Sequence, residues 1–400
     1  MTDTPTNALP ILRFIPFRRR DIVTMCEQEG GLSEEQAEQF RQANALIEDF
    51  FQRDFHAIKQ RLKDAYAPLD PDADTRCTAV AAQNPDELSQ TLASVLNRGN
   101  YEKVTEEGLN AAFESASLFN IRLFVDLNDF DDVLLYTRGV SERTETLSGP
   151  LGLFSRTVTF RNFDRVVLYI RFKSDIDENS TLGGCRPGAT MLKLFKDVPE
   201  ADLEMLFPNT RIGMRFRDKL LIGIPALISG GVVLTTKVGA TLLLLGSLFG
   251  FWLGLKNEPV TLDRNAVLAL AAGLGALGGY LWKQFSNFRN RKLRFTQALT
   301  RNLYFKLLDN NAGVIHRILD DAEESECKES TLAYYFLLRA GEPLSAEALD
   351  ETIESWFQER WQCTLDFEVD DALNKLERLG LAEKHGEGAW IAKASSANSR

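Results

Sequence analysis

Apolar residues along the chain fall into three successive spacings. From Ser33 onward, Phe40, Ala43, Ile47, Phe50, Phe51, Phe55, Ile58 and Leu62 recur every three or four residues. Ser33 with Gln36 three positions later forms a capping-box signature. This pattern predicts one long amphipathic helix that ends before Pro68-Leu69-Asp70-Pro71. Asn84-Pro85 opens a second helix to about Leu96, and Thr105 a third to about Ser117. The period then shortens. Ile121–Val125, Val133–Tyr136, Arg156–Phe160 and Val166–Phe172 are β-branched or aromatic, with turns expected at Asn128-Asp129 and Asn162-Phe163-Asp164. They predict a small antiparallel sheet packed on the helices, an α+β arrangement. Gly139–Gly152 and Ser174–Gly188 are polar, glycine-rich and read as loops.

Between Leu220 and Trp282 the pattern becomes three uncharged runs, 220–236, 238–255 and 265–282, interrupted by Lys237 and by 256–264. The last two are 18 residues each, long enough as helices to span ~27 Å, close to the hydrocarbon core of a bilayer. Basic residues flank the block on both sides: Arg211, Arg215, Arg217 and Lys219 before it, and Lys283, Arg289, Arg291, Lys292, Arg294, Arg301 and Lys306 after it, with no acid from 283 to 306. Basic flanks at both ends place both on the cytoplasmic side and require an even number of crossings. The expected arrangement is a transmembrane helical hairpin of 238–255 and 265–282, with 220–236 re-entrant, interfacial or a further span; 220–255 as a tight double crossing is the competing pairing. Gly246, Gly250 and Gly254, and Ala271, Gly275 and Gly279, form two small-residue ridges suited to close helix packing within the hairpin or in a homo-oligomer. Arg215, Arg217, Lys219, Lys283, Arg289, Arg291, Lys292 and Arg294 are the expected contacts to anionic lipid headgroups.

Beyond the block a basic helix is expected from about Asn287 to Asn310, with Phe295, Leu299, Leu303 and Leu307 on one face. Ser330–Leu338, Ala346–Trp361 and Phe367–Leu379 follow as helices, then two short strands around His385-Gly386-Glu387-Gly388. Three helices and a β-hairpin make a winged-helix-like C-terminal domain. From Lys328 to Arg400 there are 8 basic and 14 acidic residues, and the helix that would read DNA carries Glu368, Asp370, Asp371 and Glu377. That charge excludes nucleic acid as the partner and favours protein partners. The full division is a flexible tail over 1–9, an α+β domain over 10–219, the membrane block over 220–282, juxtamembrane helices over 283–327, the winged-helix-like domain over 328–394 and a tail over 395–400.

Bulk composition modifies this picture little. The net charge is -11 and the mean hydropathy -0.18, an average that conceals the apolar block. Five cysteines lie far apart with no CxxC pair, so free thiols are expected. A secretory leader is absent from the N-terminal residues. Catalytic motifs are absent too: there is no GxSxG, no P-loop and no GxGxxG, and the three histidines have no ligand spacing between them. The acidic run Asp126–Asp132 lacks the glycine and ligand positions of a calcium loop. No catalytic residue, cofactor or metal is expected. Arg138, Arg161, Arg165 and Arg171 cluster around the sheet, and Arg138 with Arg171 is the candidate anion site.

Four segments carry a resemblance: Ile15-Pro16-Phe17-Arg18-Arg19, Leu134-Leu135-Tyr136-Thr137-Arg138-Gly139, Asp202-Leu203-Glu204-Met205-Leu206-Phe207-Pro208, and Leu332-Ala333-Tyr334-Tyr335-Phe336-Leu337-Leu338. Over roughly 10–392 the chain resembles the transmembrane protein 143-like family, a membrane-protein domain of unknown function. The resemblance implies an integral membrane protein and no reaction. Missing the transit peptide of organellar members, this chain is expected in a bacterial inner membrane with both large regions cytoplasmic. The expected role is a membrane-anchored scaffold, assembly or regulatory factor. A membrane-tethered enzyme acting on an anionic substrate and an oligomeric pore are the alternatives.

Overall fold

The computed structural model describes residues 11–72, 85–105, 107–109, 122–148, 155–175, 188–213, 246–247, 249–253, 264–386 and 388–394. The chain separates into two compact units, one of residues 1–116, 125–209 and 306–400, the other of 117–124 and 210–305.

The larger unit begins with helices α1 (Arg19–Glu29), α2 (Glu34–Tyr66) and α3 (Pro85–Arg98). The expected capping box is present on α2: the Ser33 hydroxyl accepts from the Gln36 amide and the Gln36 side chain accepts from the Ser33 amide. Phe40, Ala43, Ile47, Phe51, Phe55, Ile58 and Leu62 form its buried face. The unit's main sheet is five-stranded and antiparallel, in the order β1 (Glu102–Lys103), β3 (Phe130–Ser148), β4 (Ser155–Phe172), β5 (Thr190–Pro199), β7 (Leu307–Asn310).

The sheet departs from the sequence pattern at three places. Asn162-Phe163-Asp164 is not a turn: β4 runs straight through it, with Asn162 opposite both Ser141 and Pro199. Residues 139–148 are strand rather than loop. Leu307–Asn310 leaves the helix and pairs with β5. In each case ladder hydrogen bonds from a neighbouring strand override a local propensity for turn, loop or helix.

Helix α5 (Ala312–Ala340) is the axis of this unit, buried without interruption from Ser325 to Leu338. A helix enclosed on all sides has no polar face to reveal it. The two helices after it are α6 (Ala346–Trp361) and α7 (Val369–Arg378). A three-stranded sheet of β8 (Leu344–Ser345), β10 (Ala389–Ala392) and β9 (Ala382–His385) completes the helix-and-hairpin order expected of a winged helix. One core joins α1, α2, α3, α5, α6, α7 and the inner face of the main sheet, with Phe40, Phe51, Tyr169, Tyr334, Tyr335 and Phe357 its largest enclosed side chains.

The smaller unit holds the two-stranded pair β2 (Arg122–Phe124) and β6 (Arg211–Gly213), and helix α4 (Arg264–Lys306). Here the sequence expectation is corrected. Among the described residues no helix is long and apolar enough to cross a membrane. The run 265–282 is not a bounded span but the first part of the 43-residue α4, which continues to Lys306. Nine of its eighteen residues are alanine or glycine, and small side chains transfer little apolar area to lipid. Lack of charge therefore overstates its hydrophobicity. The run 238–255 is described only at 246–247 and 249–253, and 220–236 lies outside the described residues, as do the expected helix after Leu109 and most of the Ser174–Gly188 loop. The transmembrane hairpin, the integral membrane scaffold, tethered enzyme and pore, and the inner-membrane location that rested on it fall with that finding.

Candidate functional site

The most concentrated chemistry in the larger unit lies where α3, α5 and α7 meet. Glu326 and Glu329 project from adjacent turns of α5, one turn before the apolar run Leu332–Leu338. Glu326 is fully buried, and its Oε1 accepts from Arg98 Nε at 2.5 Å. Arg98 also reaches Asp54 Oδ2 at 2.9 Å and lies over the Phe55 ring at 4.2 Å. Lys375 on α7 stands among three carboxylates: it pairs with Glu326, with Asp371 at 2.5 Å and with Glu329 at 3.7 Å. Asn100 completes the set, donating from Nδ2 to Glu329 Oε1 at 2.7 Å.

Charge in this cluster is held rather than exposed. Burial raises the Glu329 carboxyl to about 7, with Lys375 opposing the shift and Glu326 adding to it. Burial alone would lower the Lys375 ammonium, but Glu329, Glu326 and Asp371 outweigh it and keep the group charged. Glu326, Glu329 and Asp371 present oxygens within 4.8 Å of one another, a spacing compatible with a metal ion. Lys375 already supplies a positive charge at that point. The three carboxylates, the Lys375 ammonium and the Arg98 guanidinium tie α3, α5 and α7 together through buried ion pairs.

Beside the cluster opens a cleft of about 520 Å³, walled by α2, α3 and α7 and reaching Glu326 at its floor. Arg61, Arg98, Lys375 and Arg378 all line it.

In the smaller unit, α4 presents a stripe of exposed residues at helical spacing: Leu268, Ala271, Gly275, Gly279, Trp282, Arg289, Leu293 and Tyr304. Trp282 is 69% exposed, Tyr304 74% and Phe305 63%. Lys283, Arg289 and Arg301 are exposed beside them. The β4–β5 ladder of the larger unit leads in sequence to this helix and then to β7.

Residues 163–313 match a family described as a protein of unknown function (DUF3754). The match takes in part of β4, all of β5, β6, α4 and β7, and the first residues of α5. It replaces the resemblance to the transmembrane protein 143-like family, which spans 10–392 through short strings, three of which, at 15–19, 134–139 and 332–338, fall outside the matched stretch. No solved structure matches the chain. The DUF3754 description names no reaction or ligand, so the residues themselves have to indicate the function.

Several residues singled out in the sequence occupy different settings. Arg138 is buried on β3; its Nη1 lies 3.4 Å from Asp321, and its guanidinium packs over Phe14 and Tyr101 at 4.5 and 5.4 Å. Asp321 also accepts from Arg165 and from the Tyr101 hydroxyl at 2.8 Å. Arg171 pairs with Asp86 at 3.2 Å. Arg138 stands opposite Arg165 and Arg171 opposite Asp132, six positions apart along the ladder or ~20 Å. The structure does not bring Arg138 and Arg171 together. At Gly246, Gly275 and Gly279 an added Cβ would meet nothing within 4 Å; Gly250 lies in a described helical turn, while Gly254, Arg215, Arg217 and Lys219 lie outside the described residues. Arg291, Lys292 and Arg294 are on α4. The Arg98–Glu326–Glu329–Lys375 cluster escapes sequence reasoning. Its one local signal is the pair of glutamates, one helical turn apart, just before the apolar run Leu332–Leu338.

Proposed function

We propose that this protein associates with anionic lipid surfaces, lying against the headgroups through α4 without passing through the bilayer. The observation that supports this reading is the composition of the α4 stripe: exposed Trp282, Leu293, Tyr304 and Phe305 interleaved with exposed Lys283, Arg289 and Arg301, with no acid from 283 to 306. Large apolar groups left in water at this density mark an interaction surface. Aromatics beside cations, in a stretch without acids, suit the boundary between headgroups and acyl chains. In this role the larger unit is the binding module that the surface recruits.

Sedimentation of the full chain with vesicles tests the proposal. Binding is expected to phosphatidylserine-containing vesicles and not to phosphatidylcholine alone, and to weaken as salt rises. K283Q/R289Q/R301Q should reduce affinity on the order of a hundredfold, at roughly 1 kcal/mol per basic residue. Equal binding to both vesicle types, or unchanged binding by the triple variant, refutes it. The open Ala271, Gly275, Gly279 ridge supports a second reading, self-association; a dimer in solution that persists in the triple variant, with no vesicle binding, would favour that reading instead.

A further inference from the structure

The cleft between α2, α3 and α7 has an unbalanced wall. Three acids border it, Asp54, Glu326 and Asp371. All three are committed: Asp54 and Glu326 to Arg98, Glu326 and Asp371 to Lys375. Two cations on the same wall have no such partner. Arg61 on α2 and Arg378 on α7 are both exposed, and neither lies within ion-pair distance of an acid among the described residues. Arg378 instead rests near the Phe50 ring, its guanidinium carbon 5.7 Å from the centroid. Cation–π contact orients the planar group without consuming its charge. Gln90, Ser94 and Asn374 line the same space and add neutral donors.

Lone surface arginines are ordinarily just solvated. What distinguishes this pair is the concavity they share and the ion network beneath it. Glu326 and Lys375, both buried, fix the floor, so an incoming anion meets rigid groups whose charges are already paired. A volume of about 520 Å³ falls in the range of small-molecule sites. It is too roomy for a single chloride and too polar for a lipid chain.

We infer that this cleft is a binding site for a small, multiply charged anion rich in acceptor oxygens, of phosphate-ester or pyrophosphate chemistry, gripped by Arg61 and Arg378. Guanidinium groups suit this role because each presents a planar fork of donors matched to two oxygens. Arg98 and Lys375 take part only as the fixed floor, since their charges are spent on acids. The site belongs to the larger unit and is independent of the α4 surface.

Pyrophosphate is the probe, titrated into the full chain against sodium chloride at matched ionic strength and followed by thermal denaturation and calorimetry. Saturable stabilisation beyond that of chloride is expected. R61Q and R378Q should each weaken binding about tenfold and together abolish it, while R53Q, which removes a cation of the same helix already paired with Asp49, should leave it unchanged. Because Arg61 and Arg378 hold no ion pairs, their replacement should not unfold the protein. No saturable effect of pyrophosphate, or equal weakening by R53Q, would overturn the inference.

Discussion

Glu329 is a residue whose environment moves its titration toward neutral pH. Its carboxyl is raised to about 7 by burial, against an ordinary value near 4.5 when the chain is unfolded. Between those two values the folded protein holds a proton that the unfolded chain has released, so stability falls as pH rises through that window. Asp350, raised to about 6 by burial and by Glu354, contributes in the same direction, so the comparison must be between variants. Urea unfolding at pH 5 and pH 7.5 should show a decline for the native chain, on the order of a few kcal/mol, that is markedly smaller in E329Q. An equal decline in both would show that Glu329 is not the titrating group. Gly139 is the second informative residue. Its φ is +71°, and a Cβ there would collide with the Asp164 carboxylate. G139A should cost about 1–3 kcal/mol in denaturant unfolding. In the D164A background the carboxylate is gone and only a Cβ contact at 3.0 Å is left, so the cost should fall toward its backbone part.

At the scale of elements, short-range signals are legible in the sequence and long-range ones are not. The α2 capping box, its apolar face and its end before Pro68 depend on residues within one or two turns, and the pattern predicts them correctly. By contrast β5 is invisible to pattern because Thr190–Leu192 and Leu194–Phe195 are buried on both faces and only Lys196 is exposed; alternation, the usual mark of a strand, fades when both sides are largely covered. β4 reads as two strands because Asn162 and Asp164 favour turns in isolation. Of α5, Ser330–Leu338 reads as a helix of its own, while the acidic stretch before it is absorbed into the juxtamembrane helices and looks solvent-exposed until its partners are known. Those partners, Arg98, Asn100 and Lys375, come from segments far from it in sequence, so the cluster exists only in three dimensions. A related tie fixes the N-terminal segment. Lys328, buried on α5, donates from Nζ to the carbonyls of Ile15 and Phe17 at 3.0 Å each, and Leu12 bridges to Leu365. Replacing the ammonium in K328M leaves two carbonyls without a donor. Hydrogen exchange at the Leu12 and Asp366 amides, which bond across this bridge at 2.9 Å, should then accelerate on the order of tenfold or more. Unchanged protection there would assign the anchoring to the bridge alone.

Taken as a whole, the molecule concentrates opposite charge in different places. The chain is -11 overall, yet residues 283–306 carry seven basic side chains and no acid. A basic stretch on an acidic protein should make vesicle association steeply salt-sensitive, since only that stretch is attracted while the remainder is repelled. The uncharged block that suggests a transmembrane hairpin is the least reliable large-scale feature, because missing charge is a weaker sign of lipid affinity than side-chain area.

The axial position of α5 has a consequence for how the protein is made. Helices α1 to α3 are complete once residue 98 has left the ribosome, but the helix they enclose begins only at Ala312. At ordinary elongation rates the interval is roughly 10–40 s. Throughout it Phe40, Ile47, Phe51 and Phe55 have no α5 to cover them. The emerging chain must therefore be shielded by chaperones or by transient collapse, and substitutions that slow translation between residues 98 and 312 should raise aggregation without altering the finished fold.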